Sequence, residues 1–299
     1  MTMRGAVYVN GTITSADTAV IPVFDHGFVY GEGVYEVLRT YSGVPFLYDR
    51  HITRLRNSAR YLHLDVPFDD ETLRSWVDKT ADAAALAGDT YIRILLTRGI
   101  GELTYDVRAT PAPSVVIIIK PQEGVPARVR SDGIRISLVP ILRNHPGSVN
   151  PMIKSNNLMN SALAMQEAFR SGAFEGVMRN YRGEIAECTT SNLFVIKNGE
   201  ALTPPLDAGL LPGITREFVF DIGADRGIPV REAVLRDNDL FAADEAFLTS
   251  TTREIVPIVT VNDRRISSGT PGAVTRALMD AFRQKARELS QANRLELKR

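Results

Sequence analysis

The chain has 299 residues, enough for about two domains, and its 44% apolar and 23% charged residues are the balance of a folded globular protein. Its 35 lysines and arginines equal its 35 aspartates and glutamates, so the basic excess of a nucleic-acid binder is missing. A single cysteine, Cys188, excludes an internal disulfide framework and points to a reducing, cytoplasmic setting, and no apolar run reaches the roughly 18 residues of a membrane span.

The N-terminal stretch MTMRGAVYVNGT has no apolar core of a signal peptide and runs directly into a strand pattern. Residues 5–18 read as a hairpin turning at Asn10-Gly11, the strongest short hairpin signal. GVYEVLRTY and VPFLYD form a second hairpin across Ser42-Gly43. A helix follows with Ile52, Leu55, Ala59 and Leu62 on one side, and another opens at Asp69-Asp70 with Leu73, Trp76, Val77 and Ala81 as its stripe. YIRILLTRG and SVVIIIK read as strands, the second apolar enough to be buried on both faces. Residues 121–133, with two prolines, two glycines and mixed charge, mark a domain boundary.

Beyond it come the strand IRISLV, an irregular stretch over 140–151, and a helix after Met152-Ile153-Lys154 with Leu158, Ala162, Met165 and Phe169 on one face. Hairpin signals recur at Arg182-Gly183, Asn198-Gly199 and Asn262-Asp263, and helices start near Gly213 and Pro271. The C-terminal ELSQANRLELKR reads as a fraying helix end or an expression-neutral tail. Hairpins outnumber strictly alternating βαβ units, so the expected class is α+β with largely antiparallel sheets and flanking helices. The expected division is a small N-terminal domain over 1–120, a linker over 121–133 and a larger domain over 134–299 that carries Lys154.

Four short segments carry chemistry. Lys154, one of only six lysines, sits between an apolar pair and a helix. Desolvation there would lower its amine's pKa and make it a nucleophile and base; the same position also suits a snorkelling lysine at a helix start. Gly183-Glu184-Ile185-Ala186-Glu187-Cys188-Thr189-Thr190-Ser191-Asn192 places two carboxylates near a turn, where Glu187 can equally be a salt-bridged loop residue. Leu211-Pro212-Gly213-Ile214-Thr215 puts Pro-Gly before a helix, whose N-terminal N–H groups suit a phosphate, although Pro-Gly is commonly just a turn. Thr249-Ser250-Thr251-Thr252-Arg253-Glu254-Ile255 is the fourth. To these the segment His51-Ile52-Thr53-Arg54-Leu55 adds Arg54, one of 29 arginines. A protein-built metal site is not expected: the four histidines are scattered, and no HExxH or CxxC spacing occurs.

As a set, these segments resemble the class IV pyridoxal-phosphate aminotransferases, from about residue 5 to 285. The resemblance implies a two-domain fold of type IV and pyridoxal 5′-phosphate as cofactor. It implies that Lys154 forms the Schiff base and shuttles the proton between substrate and cofactor, and that Glu187 keeps the ring nitrogen protonated. It places Arg54, Ile214, Thr215 and Thr251 at the phosphate and Leu211 against the ring. It also implies ping-pong transfer of an amino group from a small-molecule donor to a 2-oxo acid, by a homodimer or larger assembly.

The signals for substrate conflict. Tyr91-Ile92-Arg93 and the following Arg98-Gly99-Ile100-Gly101-Glu102-Leu103 are similar to branched-chain aminotransferases, in which the Tyr-x-Arg element lines the carboxylate and side-chain pockets. The Arg-x-His carboxylate trap of D-amino-acid aminotransferases is replaced by Leu103 and Tyr105. Against this, Val37 stands where branched-chain enzymes have a glycine, Met159 replaces a tyrosine, and Ser250-Thr251-Thr252 is closer to the D-amino-acid branch. Tyr30, Tyr35, Tyr91, Arg93, Thr251 and Thr252 are the expected substrate-binding residues, and branched-chain L-amino acids the expected donors. A D-amino-acid or (R)-amine transaminase and an aminodeoxychorismate lyase stand as alternatives. A nucleotide-binding protein is disfavoured, because Gly31-x-Gly33 lacks the third glycine and following helix of a dinucleotide site.

Overall fold

The computed structural model describes residues 3–296, and the chain divides into two compact units. The first comprises residues up to Glu123, the segment Ile153–Leu158 and the chain end from Leu289. Its strands are β1 (Ala6–Val9), β2 (Thr12–Ser15), β3 (Gly33–Tyr41), β4 (Val44–Pro45), β5 (Thr90–Thr97) and β6 (Ser114–Pro121). They form one six-stranded sheet, ordered β2-β1-β6-β5-β3-β4, in which every pairing is antiparallel. Its helices are α1 (His26–Val29), α2 (Tyr48–Tyr61) and α3 (Asp70–Ala84).

Local chemistry explains these elements. The β1–β2 turn has Asn10 at φ 44° and Gly11 at φ 98°, the left-handed pair that a two-residue hairpin requires. α3 opens under Asp69, whose carboxylate accepts from the Thr72 N–H at 2.7 Å. Strand alternation sends Val34, Glu36 and Leu38 of β3 and Ile92, Ile94 and Leu96 of β5 inward, against Ile52, Leu55, Leu73 and Val77 of α2 and α3. It sends Tyr35, Val37 and Arg39, with Tyr91, Arg93 and Leu95, to the opposite face.

The second unit comprises Gly124–Met152 and Met159–Glu288. It contains α4 (Ala127–Asp132), β7 (Ile134–Leu138), α5 (Met159–Arg170), β8 (Glu175–Arg179), β9 (Ile185–Cys188), β10 (Asn192–Lys197) and β11 (Glu200–Thr203). Then follow α6 (Ile214–Arg226), β12 (Val230–Glu232), α7 (Asp237–Phe241), β13 (Glu245–Ser250), β14 (Glu254–Val261), β15 (Arg264–Arg265) and α8 (Ala273–Glu296). Its sheet is ordered β12-β11-β10-β13-β14-β7-β8-β9, with β15 on β14. The pairs β11–β12, β14–β7 and β7–β8 are parallel and the rest antiparallel. Leu193, Val195, Leu248, Val256 and Ile136 fill its core. The class is α+β, and the expected turns at Arg182-Gly183, Asn198-Gly199 and Asn262-Asp263 join β8–β9, β10–β11 and β14–β15.

The first division between the units lies at Glu123–Gly124, inside the stretch 121–133, where Pro121 ends β6 and α4 forms. Two expectations are corrected. Ile153–Leu158, with Lys154, groups with the N-terminal unit and not with the C-terminal one. Backbone hydrogen bonds to Gly33 and Tyr35 of β3 hold it there. α5 buries Ala164 and Ala168, whereas Leu158 and Phe169 are 39% and 63% exposed, because alanines give this helix its close approach to Val139 and Met178. In the C-terminal stretch, α8 continues to Glu296, and residues 297–299 lie outside the described residues. Among the described residues, no helix is long and apolar enough to cross a membrane.

Candidate active site

Lys154 is held by its backbone before its side chain does anything. Its carbonyl accepts from Tyr35 N at 2.9 Å, and two residues on Asn156 N donates to Gly33 O at 2.9 Å. Its own N–H donates to Ser58 Oγ of α2 at 3.2 Å. The segment therefore lies along β3 like a short extra strand, with Ser155 bridged to Val34. The half-buried Lys154 side chain brings Nζ to 4.4 Å from the Tyr35 ring centroid. Arg93 lies over the same ring at 4.1 Å, as the pairing of Val37 with Arg93 dictates: Tyr35 is the diagonal neighbour on that face. Among the described residues Arg93 has no carboxylate partner. Two cations thus converge on one aromatic ring.

Behind that face lies a buried charged cluster. Glu36 accepts from Arg54 Nε at 2.6 Å and Nη2 at 2.8 Å, and from His51 Nδ1 at 2.7 Å. His51, Arg54 and Ser58 share one face of α2 by their spacing of three and four. Burial alone would push the Glu36 carboxyl up, but Arg54 and His51 together hold it far below the usual carboxylate range. Burial is the main reason that His51 stays neutral at lower pH than an ordinary histidine, with Arg54 and Lys154 adding to it. As a neutral ring donating from Nδ1, it keeps Nε2 buried without a partner.

In the second unit, Glu187 of β9 is 6% exposed. Its Oε1 accepts from Arg143 Nε at 2.7 Å. Its Oε2 accepts from Asn192 Nδ2 and from Leu211 N, both at 3.2 Å. Arg143 is fixed in turn by Asn160 Oδ1 at 3.1 Å. Asn192 also donates to Leu211 O at 3.0 Å, which ties the Leu211-Pro212-Gly213 turn to β10. A Cβ at Gly213 would meet Asn192 Oδ1 at 1.9 Å, so the Asn192 amide that holds Glu187 and Leu211 would have to move. Gly213 is also the N-cap of α6, so no side chain caps that helix, and the buried Ile214 and Thr215 form its first turn. Cys188 is fully buried, which drives its thiol pKa well up and leaves it unreactive.

Thr251, Thr252 and Arg253 are the tip of the β13–β14 hairpin, closed by the pairing of Ser250 with Glu254. Glu254, the first residue of β14, takes φ 64°, a left-handed conformation directly after the tip.

The structure thus brings together Lys154, Tyr35 and Arg93 in one unit, and Glu187 and Leu211 in the other. Arg54 lies on the core side of β3, clamped by Glu36. Tyr91 sits under Lys120, with its ring centroid 5.0 Å from Nζ. Tyr30 packs on His26 at 4.9 Å and on the 88%-exposed Tyr105 at 5.2 Å. Sequence reading misses Arg143, Asn160, Glu36 and Ser58. Of these only Ser58 and Glu36 carry a readable signal: polar residues on the buried face of a helix or strand.

The profile of the family described as amino-transferase class IV matches residues 33–261. A Methanocaldococcus jannaschii protein assigned as a branched-chain-amino-acid aminotransferase is 38% identical over 93% of this chain and 95% of its own. A D-alanine aminotransferase of Listeria innocua is 35% identical over 92% of this chain and 94% of its own. The solved branched-chain amino acid aminotransferase of Thermoproteus uzoniensis, with norvaline, superposes with a TM-score of 0.87 at 32% identity over 94% of this chain and 94% of that one. The fold is fold type IV, and the chain belongs to the class IV amino-transferases and is an aminotransferase.

Proposed function

We propose that this aminotransferase takes branched-chain L-amino acids as preferred donors and passes the amino group to a 2-oxo acid in two half-reactions. The observation that carries the reading is Arg93, a half-buried cation without an anionic partner among the described residues, stacked on Tyr35 where Lys154 Nζ also arrives. That face offers a carboxylate a guanidinium and offers an aliphatic chain an aromatic wall. Leu103 and Tyr105, where a D-amino-acid enzyme would carry arginine and histidine, are 60% and 88% exposed and supply no cation. The relatives named above include both activities, so the choice between them rests on these residues.

The donor set suits pyridoxal 5′-phosphate: one amine anchored by its backbone, one buried carboxylate held by three donors, and a helix that starts on an uncapped glycine. When bound, the cofactor supplies an electron-withdrawing ring that makes the substrate's α-proton removable. Lys154 would be the point of attachment, and its Nζ would carry the α-proton away and return it. Glu187 would hold a proton at the ring nitrogen. Ile214 and Thr215 of the uncapped α6 terminus, with Thr251 and Arg54, would hold the phosphate, and Leu211 would pack on the ring. Tyr30, Tyr35, Tyr91 and Arg93 would line the substrate side, with the Thr251 and Thr252 backbone facing the substrate carboxylate.

The test is steady-state turnover of L-leucine and D-alanine with matched 2-oxo acids. Faster turnover of L-leucine, with parallel double-reciprocal lines, is the expected result. Equal or faster turnover of D-alanine overturns the substrate reading, and the D-amino-acid reading then replaces it. Release of pyruvate and 4-aminobenzoate from aminodeoxychorismate with no acceptor would instead identify a lyase.

A further inference from the structure

Arg253 lies in the hairpin tip beside Thr251 and Thr252, yet none of the roles above uses it. Its guanidinium is spent on three different segments. One terminal nitrogen meets Glu175 Oε2 at 2.9 Å. The other donates to Ser191 Oγ at 2.7 Å and to Thr190 Oγ1. Nε donates to Ser250 Oγ at 3.2 Å. Glu175, at 0% exposure on β8, also accepts from the Thr190 N–H and hydroxyl and, at 3.1 Å, from the Ser191 hydroxyl. One buried carboxylate and one arginine therefore lock three things together: β8, the loop Thr189–Ser191 and the base of the hairpin tip. From the other side, Glu254 is gripped by Arg283 at 3.1 Å and by Arg130 at 3.5 Å. Glu254 is the residue held at φ 64°. A left-handed non-glycine residue persists only where its surroundings hold it there. The tip is thus pinned through its last side chain, Arg253, and through the residue that follows it, Glu254.

We propose that Arg253 is a positioning residue: its fork fixes the Thr251–Thr252 turn in the orientation that receives the substrate's α-carboxylate. This rests on the placement of that carboxylate at Thr251 and Thr252. Arginine is required because a planar fork reaches Glu175, Ser191 and Ser250 at once, whereas an ammonium satisfies the charge of Glu175 but not the geometry. The residue acts through the turn, so its loss weakens binding without removing a reacting group.

The experiment measures the Kd of 4-methylvalerate, an unreactive branched monocarboxylate, by calorimetry on the cofactor-loaded protein. The proteins compared are wild type, Arg253→Lys, Arg253→Met and Ser250→Ala. Melting temperature and the turnover of L-leucine and D-alanine are recorded alongside. Arg253→Lys keeps a cation on Glu175, so it is expected to melt within a few degrees of wild type yet bind about tenfold more weakly. Its KM should rise by a similar factor while kcat changes less than about twofold. Ser250→Ala, which removes only the Nε acceptor, should shift Kd in the same direction by less. An unchanged Kd in Arg253→Lys overturns the assignment. So does weakening confined to Arg253→Met, because the charge on Glu175 and not the fork would then be what matters. A wild type that binds neither 4-methylvalerate nor the unbranched propionate overturns the placement of the carboxylate and the assignment with it, whereas binding of propionate alone overturns only the branched-chain reading and moves the comparison of variants to propionate. A wild type that prefers D-alanine overturns only the substrate reading, since both substrates carry the α-carboxylate.

Discussion

Arg143 Nε meets Glu187 Oε1 at 2.7 Å, joining a residue of the irregular 140–151 stretch to a carboxylate on β9. With Asn192 and Leu211 on the other oxygen, the carboxylate is held in one orientation from three directions. The proposed role of Glu187, holding a proton at a cofactor ring nitrogen, calls for that constraint, because a freely rotating carboxylate would meet its target only part of the time.

Glu187→Gln keeps the shape and removes the charge, leaving Arg143 with 13% exposure and no anion. We expect kcat to fall about 10²- to 10³-fold, and unfolding free energy to drop by about 3 kcal/mol. Stopped-flow turnover and chemical denaturation measure the two effects. A variant with wild-type kcat would place the ring-nitrogen contact on another residue.

Lys154→Ala removes an amine whose position is set by the main chain, so the fold should survive. Transamination should fall by about 10⁴-fold, and added methylamine should restore part of it by replacing the missing base. Absence of rescue in an intact fold would argue that attachment, and not proton transfer, is what the side chain supplies.

Arg93→Met deletes a cation that has no salt bridge among the described residues, so stability should change by less than about 0.5 kcal/mol. Affinity should change selectively. KM for an acceptor with a second carboxylate, such as 2-oxoglutarate, should rise about tenfold or more. KM for 4-methyl-2-oxopentanoate should rise less. Equal rises for both acceptors would assign Arg93 to the common α-carboxylate.

The Glu36–His51–Arg54 cluster makes stability depend on pH. The folded pKa of His51 is depressed, so below about pH 6.5 the unfolded chain takes up a proton that the folded one refuses, and stability falls as pH falls. Glu36 is also depressed, and its contribution is complete above the ordinary carboxylate range and is lost below it. Melting temperature should therefore decline from pH 7 to 5 through His51 and more steeply below about pH 4.5 through Glu36. His51→Gln, which cannot titrate, should flatten the first part of the curve and leave the second.

Turn chemistry made much of the fold legible. Asn10-Gly11 and Asn198-Gly199 declare left-handed backbone, and the hairpins follow. The strand-like segment Ile153–Leu158 was not legible, because its partners Gly33 and Tyr35 lie more than a hundred residues upstream and its contacts are made by main-chain atoms that every residue has. α5 misled for a different reason. Leucine and phenylalanine at helical spacing read as a core stripe, whereas the alanines on the other side are what close packing selects. The lysine, the carboxylate and the glycine before α6 stand out only as a set, through the resemblance their segments share, since each position alone also suits a snorkelling lysine, a loop carboxylate or a turn. Arg143 does not, because an arginine in an irregular stretch carries no periodic signal.

The docking of Ile153–Leu158 on β3 also sets an order of events during synthesis. The six-stranded sheet is encoded by Pro121 and what precedes it, so its hairpins can pair while the remainder is still on the ribosome. Lys154 emerges more than thirty residues later, and its segment must find Gly33 and Tyr35 across a long loop, the kind of non-local closure that slows folding. The N-terminal unit therefore receives Lys154 only after its sheet is complete, and a chain stopped at Glu123 would present the bare edge of β3 in its place.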